Sequence, residues 1–375
     1  DQGPAIDNMR VAMIDLVDRM PGIAAQHRPK PGSRRVFFGS PVNSAVSVTC
    51  LVLIGYVFWH MMDWAVVNAV WSDAGGPEAC HASSGACWAI IDARWRLILF
   101  GLYPFEEHWR SGLACVAVVL TSILSCLPVF WQSARLATLW VCGFAIFYIL
   151  MRGGMLGLTS VPEEKWGGLS LTVFIFASGV LVGMPMAIGL ALLRRSRLPV
   201  ISRTTGAFID AVRSLPLVSI LFTAAVIFPF VLPPGFQGEK LYRVIAGFAL
   251  FFSVYQAEII RGGIQSIPVG QDEAAKALGL SYWQRVRMIM LPQAFRYALP
   301  PTINQIVTTF KETSLVVIVG FFEIMASGNA AYGTGEWTFA YVEVYAFIAL
   351  IYFAFVFTLS RYGAYLERVM RVGQQ

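Results

Sequence analysis

Long apolar runs alternate with short polar connections along most of the chain. A helix needs ~20 predominantly apolar residues to cross the hydrocarbon core of a bilayer. The alternation with a period of two that marks membrane β-barrel strands is not seen, so helices must satisfy the backbone polar groups. The pattern predicts eight membrane-spanning helices, at residues 42–62, 112–131, 136–151, 171–193, 215–232, 244–260, 299–320 and 340–359.

Composition also indicates a membrane protein. Hydrophobic residues make up 57% of the 375 positions and charged residues only 13%, which excludes an ordinary soluble domain. The fold class is therefore predicted to be an all-α integral membrane protein. The formal net charge of +6 comes from basic residues scattered over the loops, not from one face suited to nucleic acid.

The distribution of positive charge predicts the orientation. With the N-terminus inside, twenty lysines and arginines fall in cytoplasmic segments and seven in external ones, while Lys311 lies within a predicted span. Cytoplasmic loops carry the excess of Lys and Arg. The N-terminus and the C-terminus are therefore both predicted to be cytoplasmic.

Three regions follow from the spans. Residues 1–41 resemble no secretory signal and are predicted to be a cytoplasmic tail. Residues 42–164 hold three helices with an external, periplasmic loop at 63–110. Residues 165–372 hold five helices and one long cytoplasmic interruption at 262–296.

The external loop contains Cys80 and Cys87 in a compartment where disulfides persist. Their spacing leaves open whether they are bridged or free. His81 is the only adjacent metal ligand, so no metal site is expected. The end of the loop, RWRLILFGLYPFEEHWR, has the Trp, Tyr and Arg content of a membrane interface. It is either an interfacial anchor for the next span or a docking surface for an extracytoplasmic partner.

The cytoplasmic interruption contains GQDEAAKALGLSYWQRVRMIMLPQ, which predicts two short helices. Asp272 is expected to cap the first helix, and Gly279 suits a left-handed C-terminal cap. Ser281 and Gln284 form a capping box for the second helix, and Pro292 is expected to end it. Such an amphipathic elbow is either a lever that seats in a partner or an anchor at the lipid headgroups.

The spacing E-A-A-x3-G-x9-I-x-L-P, from Glu273 to Pro292, resembles the cytoplasmic loop signature of ABC importer permeases. The segments AEIIRGGIQSIPVGQDEAAKALGLS and PPTINQIVTTFKETSL, together with GGLSLTVF and VRSLPLVSILF upstream, look like the polar amino-acid branch of that family. The resemblance covers roughly residues 165–372. The N-terminal part, including LFGLYPFEEHWR, is similar to the M-type permease subunit of general L-amino-acid transporters.

The resemblance implies a subunit of an ATP-driven amino-acid importer in a bacterial inner membrane. It would form half of a pathway with a second similar permease, in a heterodimer, and work with two ATP-binding subunits and a periplasmic amino-acid-binding protein. The chain has no G-x-x-x-x-G-K-[ST] motif, so no cofactor is expected on it; ATP and Mg²⁺ are expected on the ATPase subunits. It is not expected to be an enzyme, and no catalytic residue is assigned. The implied ATPase-coupling element comprises Glu273, Ala274, Ala275 and Gly279, with the flanking apolar pair Leu280 and Trp283.

Polar residues inside spans suggest where substrate passes, because they are costly in lipid. An amino-acid zwitterion needs partners of both signs. Thr308 and Glu312, four apart, share a helix face, whereas Lys311 points about 100° away from Glu312. Glu258 and Arg261 either pair at the membrane boundary or contribute to the pathway. Pro216, Pro300 and Pro301 are candidate helix breaks. The residues expected to line the pathway are Gln256, Glu258, Asn304, Thr308, Glu312, Thr313 and Ser314.

Two other functions fit the pattern of spans. An ion-coupled secondary transporter would use Glu258 and Glu312 as ion sites, and a membrane receptor or scaffold would use the cytoplasmic helix to bind a signalling partner. The loop signature argues against the ion-coupled transporter, and copurification of an ATPase would separate the receptor or scaffold from the importer.

Overall fold

The computed structural model describes residues 37–371, so most of the predicted tail at 1–41 lies outside the described residues. The described residues fall into two compact units, one that ends at residue 69 and one that begins at residue 70. In the first unit, helix α1 (Pro41–Met62) begins after Ser40, whose side chain accepts a hydrogen bond from the Asn43 N–H at 3.1 Å. The helix continues into a π-helical turn at Asp63–Val67.

The second unit is almost entirely helical. Its single described strand, β1 (Phe322–Glu323), pairs in parallel with Gly167 and Gly168 at the start of a long helix. The helices are α2 (Gly76–His81), α3 (Ala89–Phe100), α4 (His108–Ser125), α5 (Ser133–Arg152), α6 (Gly168–Arg194), α7 (Pro199–Arg213), α8 (Leu217–Phe222), α9 (Phe228–Val231), α10 (Lys240–Gln265), α11 (Val269–Ala277), α12 (Tyr282–Arg285), α13 (Leu291–Glu312), α14 (Ile324–Gly333) and α15 (Tyr341–Arg371).

The helices bear out the all-α membrane class but not the count of eight spans. Among the described residues, six helices are long and apolar enough to cross a bilayer, or seven if the bent pair Pro199–Arg213 and Leu217–Val231 forms one span. Helix α13, near the predicted span 299–320, is not among them. It begins earlier, ends at Glu312 and carries several polar residues.

The bend at Pro216 measures 101°. Pro216 is extended, with φ −60° and ψ 141°, and it cannot donate a backbone hydrogen bond into the preceding helix. The prediction of a break here is confirmed. The same prediction for Pro300 and Pro301 is wrong, because α13 continues through both. Packing holds α13 together: a Cβ on Gly263 of α10 would lie 3.1 Å from Ala298.

The core is densest between α6 and α10. Gly183 lets the two helices approach, since a Cβ there would lie 2.7 Å from the Phe252 ring and 2.9 Å from the Ala249 carbonyl. Phe248 and Phe252 are fully buried. Helix α4 joins the same core, where Ser111 Oγ and Ser170 Oγ share a hydrogen bond of 2.8 Å. The helices before residue 165 that belong to this unit therefore pack directly on those after it.

A candidate ATPase-coupling elbow and polar sites near the spans

The first arm of the elbow is α11. Its N-cap is Pro268, not Asp272 as predicted, and Asp272 lies in the first turn. The Asp272 carboxylate accepts from Lys276 Nζ at 2.5 Å and from Arg285 Nη1, on the second arm, also at 2.5 Å. The Lys276 hydrogen bond, with the Arg285 charge, lowers the pKa of Asp272 below its ordinary value of 3.8. Asp272 therefore ties the two arms together.

Gly279 ends the first arm in a Schellman motif. The Leu280 N–H donates to the Ala275 carbonyl at 3.2 Å, and the Gly279 N–H donates to the Lys276 carbonyl at 2.9 Å. Gly279 has φ +73°, as the predicted left-handed cap requires. A Cβ at this position would have space, since no atom lies within 4 Å of where it would stand. The glycine is needed for its backbone conformation.

The second arm begins with the predicted capping box. The Ser281 N–H donates to Gln284 Oε1 at 2.8 Å, and the Gln284 N–H donates to Ser281 Oγ at 3.4 Å. The prediction that Pro292 ends this helix is wrong. A π-helical turn at Val286–Met290 leads directly into α13, where Pro292 occupies the first turn and its missing N–H is tolerated. The second arm is thus continuous with α13.

The coupling residues predicted from the sequence are not all presented outward. Glu273, Ala274 and Gly279 are exposed and Leu280 is half-buried. Trp283 is also exposed, at 69%. Ala275 is only 2% exposed and packs inward, so its side chain is not part of the presented surface.

Leu278, which is 79% exposed, is the residue that the sequence reading missed. An apolar residue directly before the capping glycine of a polar helix is the signal that could have identified it.

A network of charges joins α6, α7 and α10. Glu258 Oε2 lies 2.9 Å from Arg261 Nη2, so the predicted pair forms. Glu258 Oε1 also lies 2.8 Å from Arg194 Nη1, and Arg194 lies 3.2 Å from Asp210. Arg194 was not predicted as a partner of Glu258, because the two residues are 64 positions apart in the chain. The Glu258 carboxylate is occupied by two guanidinium groups in this network.

The predicted pathway residues separate into buried and exposed groups. Gln256 is fully buried and donates to Thr302 Oγ1 at 2.7 Å. Thr313 is also buried and bonds the Phe310 carbonyl at 2.7 Å. Gln256 therefore joins α10 to α13, whereas the Thr313 hydroxyl is satisfied within its own turn. Ser314 is half-buried and bonds the Lys311 carbonyl at 3.0 Å.

An exposed polar stripe runs along α13. Asn304, Thr308 and Lys311 are exposed and follow one another at spacings of four and three residues, which places them on one face. Lys311 therefore shares the Thr308 face, a relationship that the sequence reading did not anticipate. Glu312 is half-buried, and its Oε2 atom has no hydrogen-bond partner among the described residues.

In the loop predicted to be external, Cys80 and Cys87 form a disulfide with a Cα–Cα distance of 5.4 Å. The Cys87 N–H donates to Glu343 Oε1 at 2.8 Å, which attaches the loop to the first turn of α15. His81 stacks near the Phe339 ring, with centroids 4.2 Å apart. Within residues 37–371, no group of three or more His, Cys, Asp or Glu side chains could hold a metal ion.

The aromatic end of this loop is partly exposed. Trp95, Phe105 and Trp109 present 41%, 59% and 54% of their surface. The Arg96 guanidinium lies over the Phe105 ring, 4.0 Å from its centroid. Both an interfacial anchor and a docking surface remain predictions for this segment.

The fold and the elbow together define a multi-span helical membrane protein that presents a structured helix pair outside its spans. The family of binding-protein-dependent transport system inner membrane components matches residues 179–372. The inner membrane amino-acid ABC transporter permease protein YhdY of Escherichia coli K12 is 35% identical over 95% of this chain and 99% of its own length. The chain belongs to this family of inner membrane transport components.

Other similar proteins carry related descriptions. The glutamate/glutamine/aspartate/asparagine transport system permease protein BztC of Rhodobacter capsulatus is 31% identical over 90% of this chain and 93% of its own length. A solved structure described as an amino acid ABC transporter with histidines is 29% identical over 54% of this chain and 91% of that chain, with a TM-score of 0.47.

Proposed function

We propose that this chain is a permease subunit of an ATP-driven amino-acid importer. Its family supplies the inner membrane component of binding-protein-dependent transport systems. Two relatives that match almost its whole length are described as an amino-acid ABC transporter permease and an amino-acid transport system permease. The proposed substrate class, amino acids, rests on these similarities and on the resemblance of the loop signature from Glu273 to Pro292.

The observation that carries the coupling role is the continuity of the elbow with α13. The exposed turn of Leu278 and Gly279 is capped on one side by the Schellman motif and on the other by the Ser281 capping box. Asp272 bridges the arms, so the elbow moves as one body. A partner that displaces Trp283 and Glu273 would therefore displace α13 itself.

The exposed stripe of α13 supports a pathway shared with a second permease. Asn304, Thr308 and Lys311 would be costly against lipid, so this face is expected to meet water or another protein. A second similar permease that presents a matching face would enclose a polar path between the two chains. The similarity of the N-terminal part to M-type subunits favours a heterodimer.

The remaining partners complete the proposed importer. ATP and Mg²⁺ belong on two ATP-binding subunits, because the chain lacks a phosphate-binding loop, and this subunit itself is not an enzyme. A periplasmic amino-acid-binding protein delivers the substrate. The ion-coupled alternative is weakened by the two guanidinium groups that pair with the Glu258 carboxylate.

The test is reconstitution of the chain with its ATPase and second permease in vesicles. We expect the amino-acid-loaded binding protein to stimulate ATP hydrolysis several-fold. We also expect the ATPase subunit to copurify with the native chain but not with the Glu273→Lys/Gly279→Val variant. Unchanged copurification with that variant would refute the coupling role, and uptake driven by an ion gradient without ATP would refute the importer.

A further inference from the structure

A cavity of about 730 Å³ opens beside the elbow, at the end of α6. We call it the arginine cleft. Its charged lining consists of Arg195, Arg197, Arg285 and Asp272. Asp272 is already held by Lys276 and Arg285. The cleft therefore carries a net positive charge that the described residues leave uncompensated.

Two of these guanidinium groups are available to a ligand. Arg195 and Arg197 are exposed, and no carboxylate of residues 37–371 lies within 4.0 Å of either. Arg285, which also lines the cleft, is largely buried, and its Nε atom has no hydrogen-bond partner among the described residues. A buried charged donor without an acceptor is unfavourable, so the cleft is incomplete without an anion.

Part of the cleft lining is apolar. Leu192, Leu193 and Met290 contribute to this part, and Leu192 and Leu193 belong to the last turn of α6, a candidate span of 27 residues. The exposed Trp283 and Tyr282 border the same cavity. Apolar residues continuous with a span, basic groups at its end and adjacent aromatics are the arrangement of a membrane interface.

We propose that the arginine cleft binds the headgroup of an anionic phospholipid from the cytoplasmic leaflet. The phosphate would lie among the guanidinium groups of Arg195, Arg197 and Arg285. An acyl chain would follow Leu192 and Leu193 along α6. Charge complementarity selects an anionic lipid, and the excess of basic residues assigns this end of α6 to the cytoplasmic side. An acidic surface of a soluble partner would match the charges but would leave the apolar part of the lining unexplained.

A lipid bound in the arginine cleft would also affect the elbow, because the cleft and the elbow share residues. Asp272, Trp283 and Arg285 belong both to the cleft and to the two arms. A bound headgroup would therefore hold the elbow against the end of α6. Lipid composition would then set how far the elbow can move.

The test is native mass spectrometry of the full chain, extracted from bilayer discs with equal amounts of phosphatidylglycerol and phosphatidylcholine. We expect the native chain to retain phosphatidylglycerol preferentially. The Arg195→Gln/Arg197→Gln variant should reduce that preference tenfold or more, since each arginine near an anionic surface contributes roughly fivefold. Arg195→Lys/Arg197→Lys, which keeps both charges, should retain most of it.

Arg361→Gln/Arg368→Gln is the matched control, because it removes two exposed charges from the same predicted side, away from the cleft. Its lipid preference should equal that of the native chain; an equal loss in this variant would overturn the proposal. If the Arg195→Gln/Arg197→Gln variant does not fold, the test rests on the native chain. No preference of the native chain for phosphatidylglycerol at low salt would also overturn the proposal.

Two further arms separate the sources of the anion. Millimolar inorganic phosphate should leave the bound phosphatidylglycerol in place, and its displacement would identify a free-anion site and overturn the lipid proposal. Loss of ATPase copurification by Arg195→Gln/Arg197→Gln with unchanged lipid retention would assign the cleft to the ATPase instead. These readouts need neither transport nor substrate, so their failure is distinguishable from failure of the proposed function.

Discussion

Asp272 and Arg285 face each other across the Gly279 turn, with a carboxylate to guanidinium distance of 2.5 Å. Asp272 lies on α11, which is too short to be stable alone in water, whereas Arg285 lies on the arm that continues into α13. The ion pair therefore contributes to the fixed angle between the two arms. That angle determines whether the motion of a partner reaches α13.

Asp272→Asn should loosen this angle at neutral pH. The pair is partly exposed, so the expected loss is about 1 kcal/mol or less, seen as faster hydrogen exchange in residues 269–285. Because the folded state lowers the pKa of Asp272, the stabilisation is complete above its ordinary value of 3.8 and is lost as the pH falls through the lower folded value. The native elbow should therefore keep its protection from hydrogen exchange down to about pH 4. The Asp272→Asn elbow lacks the titrating carboxylate, so its protection should not change over the same pH range. Equal exchange in both proteins at neutral pH would contradict the role of the pair.

Gly279→Val should abolish coupled uptake while leaving the spans folded. The space around the missing Cβ is open, so steric contact is not the cause. The cause is backbone strain of about 1–2 kcal/mol at φ +73°, which a β-branched side chain increases. Gly270→Val is the control, since Gly270 lies on the same helix with equally open surroundings and without a positive φ. ATP-stimulated uptake in vesicles measures both variants. Normal uptake by Gly279→Val, or equal loss in the two variants, would show that the left-handed cap is not what coupling requires.

Cys80→Ser/Cys87→Ser should destabilise the external loop. Closing so short a segment contributes about 2 kcal/mol, and the loop also anchors Glu343 through the Cys87 N–H. We expect a lower Tm and faster proteolysis between residues 70 and 100, with Cys142→Ser as a control that removes a free thiol. Alkylation of the unfolded, unreduced native chain should label four cysteines, because the other two are bridged. Labelling of six would contradict the disulfide.

Local signals in the sequence correctly predicted the capping box, the left-handed cap of the elbow and the break at Pro216, but not the start of α11 or the end of the second arm. Ser281 with Gln284, Gly279 and Pro216 each act through their own backbone or through residues within one turn, so composition and spacing suffice. The apolar runs likewise predicted most spans, because length and hydropathy are local properties.

Several of the other errors came from contacts between residues that are distant in the chain. Pro300 and Pro301 do not break α13, because packing against α10 overrides local propensity. Ala275 turns inward, and Glu258 finds Arg194 as a second partner, for the same reason: the arrangement of the helices decides both. The helix near the span predicted at 299–320, α13, is not among the helices that are long and apolar enough to be candidate spans, and it carries the polar residues Asn304, Thr308 and Lys311.

Glu312→Gln should reduce uptake and change the substrate range. Its Oε2 atom has no hydrogen-bond partner among the described residues, and the residue lies one position after Lys311 at the end of the polar stripe. A free carboxylate here can accept the ammonium group of an amino acid, while Lys311 supplies the opposite charge for the substrate carboxylate. Hydrogen bonds to charged groups contribute about 1.5–3 kcal/mol, so we expect a decrease of roughly 10-fold to 100-fold in uptake at limiting substrate.

Glu336→Gln is the control for Glu312→Gln, because it removes an exposed carboxylate from the connection before α15. It should leave uptake unchanged. Competition by a panel of amino acids measures the substrate range in both variants. If Glu312 only supports packing, Glu312→Gln will lower the amount of folded protein but leave the competition pattern as in the native transporter. A changed pattern at a normal protein level requires contact between Glu312 and the substrate.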